Sequence, residues 1–157
     1  MENLILFFIA FAFMEFVAWF SHKYIMHGFL WRWHKDHHMN DIKRINDDPL
    51  VKKGFEKNDL FFLIYAIPAI VLMITGFALA NYSLVYIAAG ITLYGIVYFI
   101  LHDGLYHQRI PLKFLERKNY RYLKALLKAH HAHHKPQTSA DFESYGLLIF
   151  PKRFFKD

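Results

Sequence analysis

At 157 residues the chain suits one domain, but 55% hydrophobic and 19% aromatic residues make it too apolar for a typical soluble one. It has no cysteine, which excludes disulfides, thiolate-bound iron–sulfur clusters and a thiolate-ligated haem within the chain, and leaves the redox compartment open. The net charge of +6, in so apolar a sequence, points to anionic lipid headgroups rather than to nucleic acid.

Three stretches are long and apolar enough to cross a bilayer, which takes about 20 residues of helix. The first span takes 4–21, an apolar run from Leu4 to Phe20 broken only by Glu15. No Lys or Arg precedes it and no small-residue cleavage site follows, so it reads as a retained span rather than a signal peptide. Asn40 to Asn58, with Pro49 and Gly54, reads as a loop or short helix. The second span is 60–80, with Pro68 inside it, and the third is 82–101; neither holds a charge. Asn81, Tyr82 and Ser83 are the only polar punctuation between them, which predicts a helical hairpin with a very short turn. Tyr120 to Ala132 has the look of an interfacial helix, and the tail from Tyr145 to Phe155 can lie against the membrane. The expected fold is all-α: a single membrane-embedded domain over 1–157 with three spans, or four if the tail forms another, and a histidine-rich helical cap.

The basic residues give the orientation. All 19 Lys and Arg fall in two segments, Lys23–Lys57 and Arg109–Lys156. The positive-inside rule puts both segments in the cytoplasm and the N-terminus and the Asn81 turn outside, in a multi-pass protein of the cell membrane.

Eleven histidines are unusually many, and they fall in four clusters, all on the predicted cytoplasmic side. HKYIMH holds His22 and His27, and HKDHH holds His34, His37 and His38. HDGLYH holds His102 and His107, and HHAHH holds His130, His131, His133 and His134. With His131 taken as an extra, the order H-x4-H then H-x2-HH occurs twice, once after the first span and once after the third. On a helix, residues three and four apart share a face, so each H-x2-HH group is expected to aim three imidazoles at one point. The five-residue spacing is different: its members sit about 140° apart on a regular helix. They meet one metal pair only if the helix ends, kinks or widens, and Gly28 and Gly104 stand where that can happen.

Imidazole suits zinc, copper, iron and nickel. Ten patterned histidines are too many for one ion and suit two, each with four or five nitrogens, some in the surrounding shell. Asp36 and Asp103, inside the clusters, are candidate acceptors for imidazole N–H groups, or plain solvated charges. A metal-buffering histidine run would sit in loose tails, whereas these clusters flank spans. A metal transporter needs ionisable groups along its path, and only Glu15 is charged within a span. Glu15 either meets a polar neighbour, lines a substrate path or sits near the outer surface. Tyr94, Tyr98 and Phe99 on the third span either border a channel or serve helix packing. A zinc peptidase is disfavoured because no H-E-x-x-H occurs.

The segments EFVAWFSHKYIMHGFLWRWHKDHH, HDGLYHQRIP, AHHAHHK and ESYGLLIFP resemble the bacterial β-carotene hydroxylases, within the membrane fatty-acid hydroxylase superfamily. The resemblance covers about Met14 to Pro151. It implies a non-haem diiron monooxygenase that hydroxylates the β-ionone ring of carotenoids at carbon 3, from β-carotene through β-cryptoxanthin to zeaxanthin. It also implies that His22, His27, His34, His37, His38, His102, His107, His130, His133 and His134 are metal ligands for two iron ions, with O2 as co-substrate; imidazole itself also accepts zinc, which can stand in for iron in purified protein. Sister activities of the superfamily (a carotenoid 4-ketolase, a fatty-acyl or sterol hydroxylase) are the alternatives, with a histidine-rich metal transporter behind them. A monooxygenase needs two electrons from elsewhere, and the chain has no G-x-G-x-x-G for a flavin or nicotinamide. The expected partners are a carotenoid from the bilayer and an external donor, a ferredoxin with its NADPH-dependent reductase, steered by the basic face.

Overall fold

In a lipid setting every backbone N–H and C=O must be paired within the chain, so apolar segments of this length become helices. The computed structural model describes residues 1–45, 55–109, 120–135 and 142–156, and all its regular elements are helical. Helix α1 (Glu2–Phe20) runs into a π-helical segment (Ser21–Phe29), a kink at Gly28 and helix α2 (Trp31–Ile45). A 3-10 turn (Lys57–Phe62) leads into α3 (Leu63–Ala78), and α4 (Tyr82–Phe99) continues into a second π-helical segment (Ile100–Tyr106). Helix α5 (Arg121–His134) and a 3-10 turn (Lys152–Phe155) complete the order. Of the segment expected as a loop or short helix, residues 46–54 lie outside the described part, while α2 reaches Ile45.

Three helical stretches, Glu2–Phe29, Lys57–Ala78 and Tyr82–Tyr106, have the length and hydropathy to cross a membrane. Among the described residues the tail adds no fourth. It is irregular from Phe142 to Pro151 and folds back under the cap, with the Tyr122 hydroxyl donating to the Leu148 carbonyl at 2.7 Å. Large apolar side chains on α1 (Phe8, Phe13, Phe16) and α3 (Ile67, Ile70, Ile74) are more than half exposed, as a lipid-facing surface requires. Pro68 lies inside α3, which continues through it. The α3–α4 turn is as short as expected, with the Asn81 side chain capping α4 by accepting from the Ser83 N–H at 3.1 Å.

Helices α1 and α4 run parallel. The Ser83 hydroxyl donates to Asn3 at 2.8 Å near their N-termini. A Cβ built on Gly90 would stand 2.4 Å from the Phe7 carbonyl oxygen, so glycine lets the two backbones close up. Between them and α3 lies a core of Ala10, Met14, Ala18, Tyr65, Ala69, Ile91 and Tyr94. Parallel packing sends the C-terminal ends of α1 and α4, and with them all four histidine clusters, to the same end of the bundle. Each half of the chain repeats one order: span, π-helical segment, histidine-bearing helix.

Candidate metal centre

The π-helical segments solve the five-residue spacing. In a π-helix the hydrogen bond runs from i to i+5, which stacks residues five apart. The His107 N–H donates to the His102 carbonyl at 3.0 Å, and the Leu30 N–H to the Ile25 carbonyl at 3.0 Å. The ring centroids of His102 and His107 therefore lie 4.5 Å apart, and those of His22 and His27 5.1 Å apart. Of the three expected departures from a regular helix, widening is the one that brings each pair together.

All ten patterned histidines converge. His22, His27, His34, His38 and His133 bring one ring nitrogen each within 4.8 Å of one another. His37, His107 and His134 form a second group, and His102, His107 and His130 a third that shares His107 with it. There are thus two neighbouring five-histidine sets. His131 belongs to none and is exposed, as expected of the extra residue.

The expectation that each H-x2-HH cluster aims three imidazoles at one point is corrected. His34 and His38 enter the first set, while His37 enters the second; His130 and His134 enter the second, while His133 enters the first. The residues four apart stay together, and the one three away is passed across. On a helix with 3.6 residues per turn, positions +3 and +4 fall about 60° before and 40° after the reference residue, so two adjacent sets can divide them. Each half of the chain gives four imidazoles to its own set and one to the other.

Every set is held from behind. His34 Nδ1 lies 2.6 Å from Asn58 Oδ1, His37 Nδ1 3.0 Å from Glu56 Oε2 and His107 Nδ1 2.8 Å from Asp41 Oδ1. His22 Nδ1 faces the Tyr145 carbonyl at 2.9 Å and His133 Nδ1 the Glu143 carbonyl at 2.6 Å. Asn40 in turn donates to Glu56 at 3.0 Å. The sequence reading missed this shell apart from Asp103, which lies 3.5 Å from His102 Nδ1 and is bridged by Arg109 to Asp59. Asp36 is exposed and takes no such part. Asp41 had a signal: it follows His37 by four residues, on the same helix face. Glu56, Asn58 and the tail carbonyls had none, since only the tertiary fold brings them near.

These contacts test whether the residues fit a metal. A neutral imidazole carries one proton, and an Nδ1 facing an acceptor holds it there, leaving Nε2 a bare lone pair. His22 and His34 both have Nδ1 so engaged, yet their Nε2 atoms lie 3.1 Å apart. Two lone pairs at that distance repel unless a cation stands between them. His27 and His133 Nε2 are 3.0 Å apart, as are His107 and His130 Nε2. The Nε2 atoms of His37 and His134 are buried with no hydrogen-bond partner among the described residues. A proton is a poor substitute for a metal here. Burial, then the neighbouring imidazoles, holds His34, His37, His130 and His134 well below the ordinary histidine range. Burial likewise pushes His38 down to about 2 and His133 to about 3. The donor set is neutral, nitrogen-rich and pre-oriented, which fits two ions of the imidazole-binding metals.

Glu15 is buried inside the first span, where it meets polar neighbours. It accepts from the Tyr94 hydroxyl at 2.7 Å and from the N–H groups of Leu148 and Ile149 at 2.9 Å each. It thereby pins the tail whose carbonyls face His22 and His133. Tyr94 packs in the core, whereas Tyr98 and Phe99 line a cleft of about 1100 Å³ between α3 and α4. That cleft ends at His102, Asp103 and Arg109.

A membrane-type helical bundle closed at one end by two sets of five histidines defines a class: the membrane histidine-cluster metalloproteins. The fatty acid hydroxylase family profile matches residues 7–156, and the chain belongs to that family. It is thus a hydroxylase, an oxidoreductase. A β-carotene hydroxylase of Pantoea ananas is 40% identical over 149 residues, 95% of this chain and 78% of the relative. One of Pseudescherichia vulneris is 41% identical over 140 residues, 88% of this chain and 72% of the relative. A chloroplastic β-carotene hydroxylase of Capsicum annuum is 36% identical over 142 residues, which cover 42% of its length. No solved structure matches.

Proposed function

We propose that this protein hydroxylates the β-ionone ring of carotenoids at carbon 3, converting β-carotene to β-cryptoxanthin and then zeaxanthin. The observation that carries the reading is the pair of five-histidine sets beside a lipid-open cleft, in a chain similar to β-carotene hydroxylases of several organisms. In the net reaction one atom of O2 enters a ring C–H bond and the other leaves as water, consuming two electrons and two protons. His22, His27, His34, His38 and His133 would hold one iron ion and His37, His102, His107, His130 and His134 a second, and the pair would supply the oxygen-activating redox chemistry.

The protein's own groups do the rest. Asn58, Glu56, Asp41 and the tail carbonyls keep the imidazole protons on Nδ1, so Nε2 is free to ligate before any metal arrives. Such prior orientation spares the cost of turning these five rings at loading. Burial keeps the rings neutral and excludes bulk water from the reacting centre. The Arg109–Asp59–Asp103 cluster closes the cleft at the membrane edge. The chain acts as one domain, with its N-terminus outside and the cap in the cytoplasm, where the basic segments support docking of an acidic ferredoxin fed by an NADPH-dependent reductase.

Pigment analysis of cells that accumulate β-carotene, with and without this gene, tests the reading. Zeaxanthin and β-cryptoxanthin are expected only with the gene, and neither with a His37→Ala variant. Unchanged β-carotene despite verified membrane expression and a competent donor would count against it.

A further inference from the structure

The cleft between α3 and α4 is built for a ligand. It is lined on the α3 side by Phe61, Phe62, Tyr65, Ala66, Ala69 and Ile70, and on the α4 side by residues from Ile91 to Asp103. At 1.5 Å per residue, Asn58 to Ile70 spans about 18 Å, just over half of a hydrocarbon core of roughly 30 Å. Its outer rim (Phe62, Ile70, Ile96, Phe99) is more than half exposed on the lipid-facing surface. Small residues open it: a Cβ on Gly95 would meet nothing nearer than the Tyr65 Cβ at 4.0 Å.

Its inner end adjoins the metal centre across a shared wall. Tyr65, Tyr98 and His102 form part of its wall and also part of the wall of a small chamber, about 10 Å³, bounded by His22 and His130. That chamber therefore touches both histidine sets. Tyr98 stacks on His102 with centroids 4.8 Å apart, and Tyr65 packs on Tyr98 at 5.4 Å. Tyr65 is 5% exposed, and its buried hydroxyl has no hydrogen-bond partner among the described residues. Buried polar groups are nearly always paired, so a lone hydroxyl between a cleft and a metal centre awaits a partner from outside the chain.

We propose that this cleft is the substrate site: it takes one end of a long, rod-like hydrocarbon laterally from the bilayer and seats the ring against the Tyr65–Tyr98–His102 wall, and the Tyr65 hydroxyl bonds the oxygen that the reaction leaves on the ring. The cleft reaches only about halfway across the membrane, so the far end of a carotenoid stays in lipid. The two ends are then processed in separate binding events. This inference rests on the carotenoid reading above for the identity of its ligand, but the cleft itself is a claim about this chain's geometry.

The test uses the full chain in lipid nanodiscs, with β-carotene as the probe. β-Carotene is achiral, so visible circular dichroism arises only when it is bound in a chiral site, with or without metal. Wild-type protein is expected to induce this signal. Gly95→Phe and Ala66→Phe, which fill the cleft from opposite walls, are expected to abolish it and to raise KM by about tenfold or more, with metal content unchanged. Metal content also reports that each variant has folded. Ile74→Phe, on the same helix as Ala66 but outside the cleft, is the control expected to behave as wild type. Tyr65→Phe is expected to keep the β-carotene signal while weakening severalfold the ability of zeaxanthin to displace β-carotene and quench that signal; an equal effect on both ligands, or none, removes the hydroxyl's assigned role. If wild type binds and hydroxylates β-carotene while both filling variants do so equally well, the cleft is not the substrate site and the carotenoid reading stands. If wild type instead hydroxylates another membrane lipid and the filling variants lose that activity, the cleft stands and the carotenoid reading falls.

Discussion

Glu15 is 7% exposed within a membrane span, a position where a carboxylate persists only with partners. It has three: the Tyr94 hydroxyl and two backbone N–H groups of the tail. Glu15→Leu takes the acceptor from all three donors, of which the Tyr94 hydroxyl is fully buried, and is expected to cost about 1–3 kcal/mol. Because the released tail carries the acceptors of His22 and His133, the first histidine set should lose its metal before the second. Metal analysis should fall from two ions toward one per chain, with the tail newly open to proteolysis. Glu15→Gln keeps an oxygen for the N–H groups and should lose less. Retention of both ions by the leucine variant would remove Glu15 from the support of the site. The HHAHH cluster offers a second prediction. His131→Ala should leave metal content unchanged, whereas His133→Ala and His134→Ala should each deplete one ion, from different sets. Equal behaviour of all three variants would contradict the division of the cluster.

At the scale of elements, two glycines five residues apart on α4, on different faces of the helix, do opposite things. Gly90 lets α1 approach, and a side chain there meets the Phe7 carbonyl oxygen at 2.4 Å. Gly90→Ala must push α1 off α4 and is expected to destabilise by about 1–3 kcal/mol. Gly95 faces the cleft, where a methyl group fits and removes the helix penalty of glycine, so Gly95→Ala is expected to stabilise by up to about 1 kcal/mol. Thermal midpoints in detergent separate the two; a stabilising Gly90→Ala would refute the close crossing. The π-helical segments are the other feature of this scale. Neither was specified by H-x4-H alone, which is also compatible with a kink or a helix end. What selects the wider helix is the company the imidazoles keep: His102 and His107 meet His37, His130 and His134 only if they share a face.

The whole molecule links its stability to protons. His34, His37, His38, His130, His133 and His134 are buried neutral, with folded-state values depressed from 6.5, to about 2 for His38 and about 3 for His133. In metal-stripped protein the unfolded chain thus binds more protons than the folded one at every pH from about 6.5 down to these values. Stability is fully present above about 6.5 and is lost as the pH falls through that window, by about 1.4 kcal/mol per pH unit for each such histidine. The thermal midpoint of metal-free protein should therefore be level above about pH 6.5 and drop steeply below it, and a flat profile through that lower range would overturn the picture of neutral, buried rings. Metal loading should release no ring protons at neutral pH, because the buried rings are already neutral.

The three spans, the hairpin turn at Asn81, the gathering of histidines at one end and the exclusion of His131 were all legible in the sequence, because hydropathy over about 20 residues and charge asymmetry are properties of the chain itself. So was the doubling of the histidine pattern, which reappears as two like halves around the parallel helices α1 and α4. Three things were decided by the tertiary structure alone. The H-x2-HH clusters divide between two sets, because a second helix presents its own imidazoles at the distance where +3 and +4 positions part. The acceptors behind the rings come from Glu56, Asn58 and the tail carbonyls of Glu143 and Tyr145, which lie 10 to 123 residues away from the histidines they serve. Glu15, legible only as a lone charge, acquired its role when the tail folded back onto the first span. Local spacing fixes which residues share a face, but which faces meet is set by long-range packing, and at this site those meetings supply the chemistry.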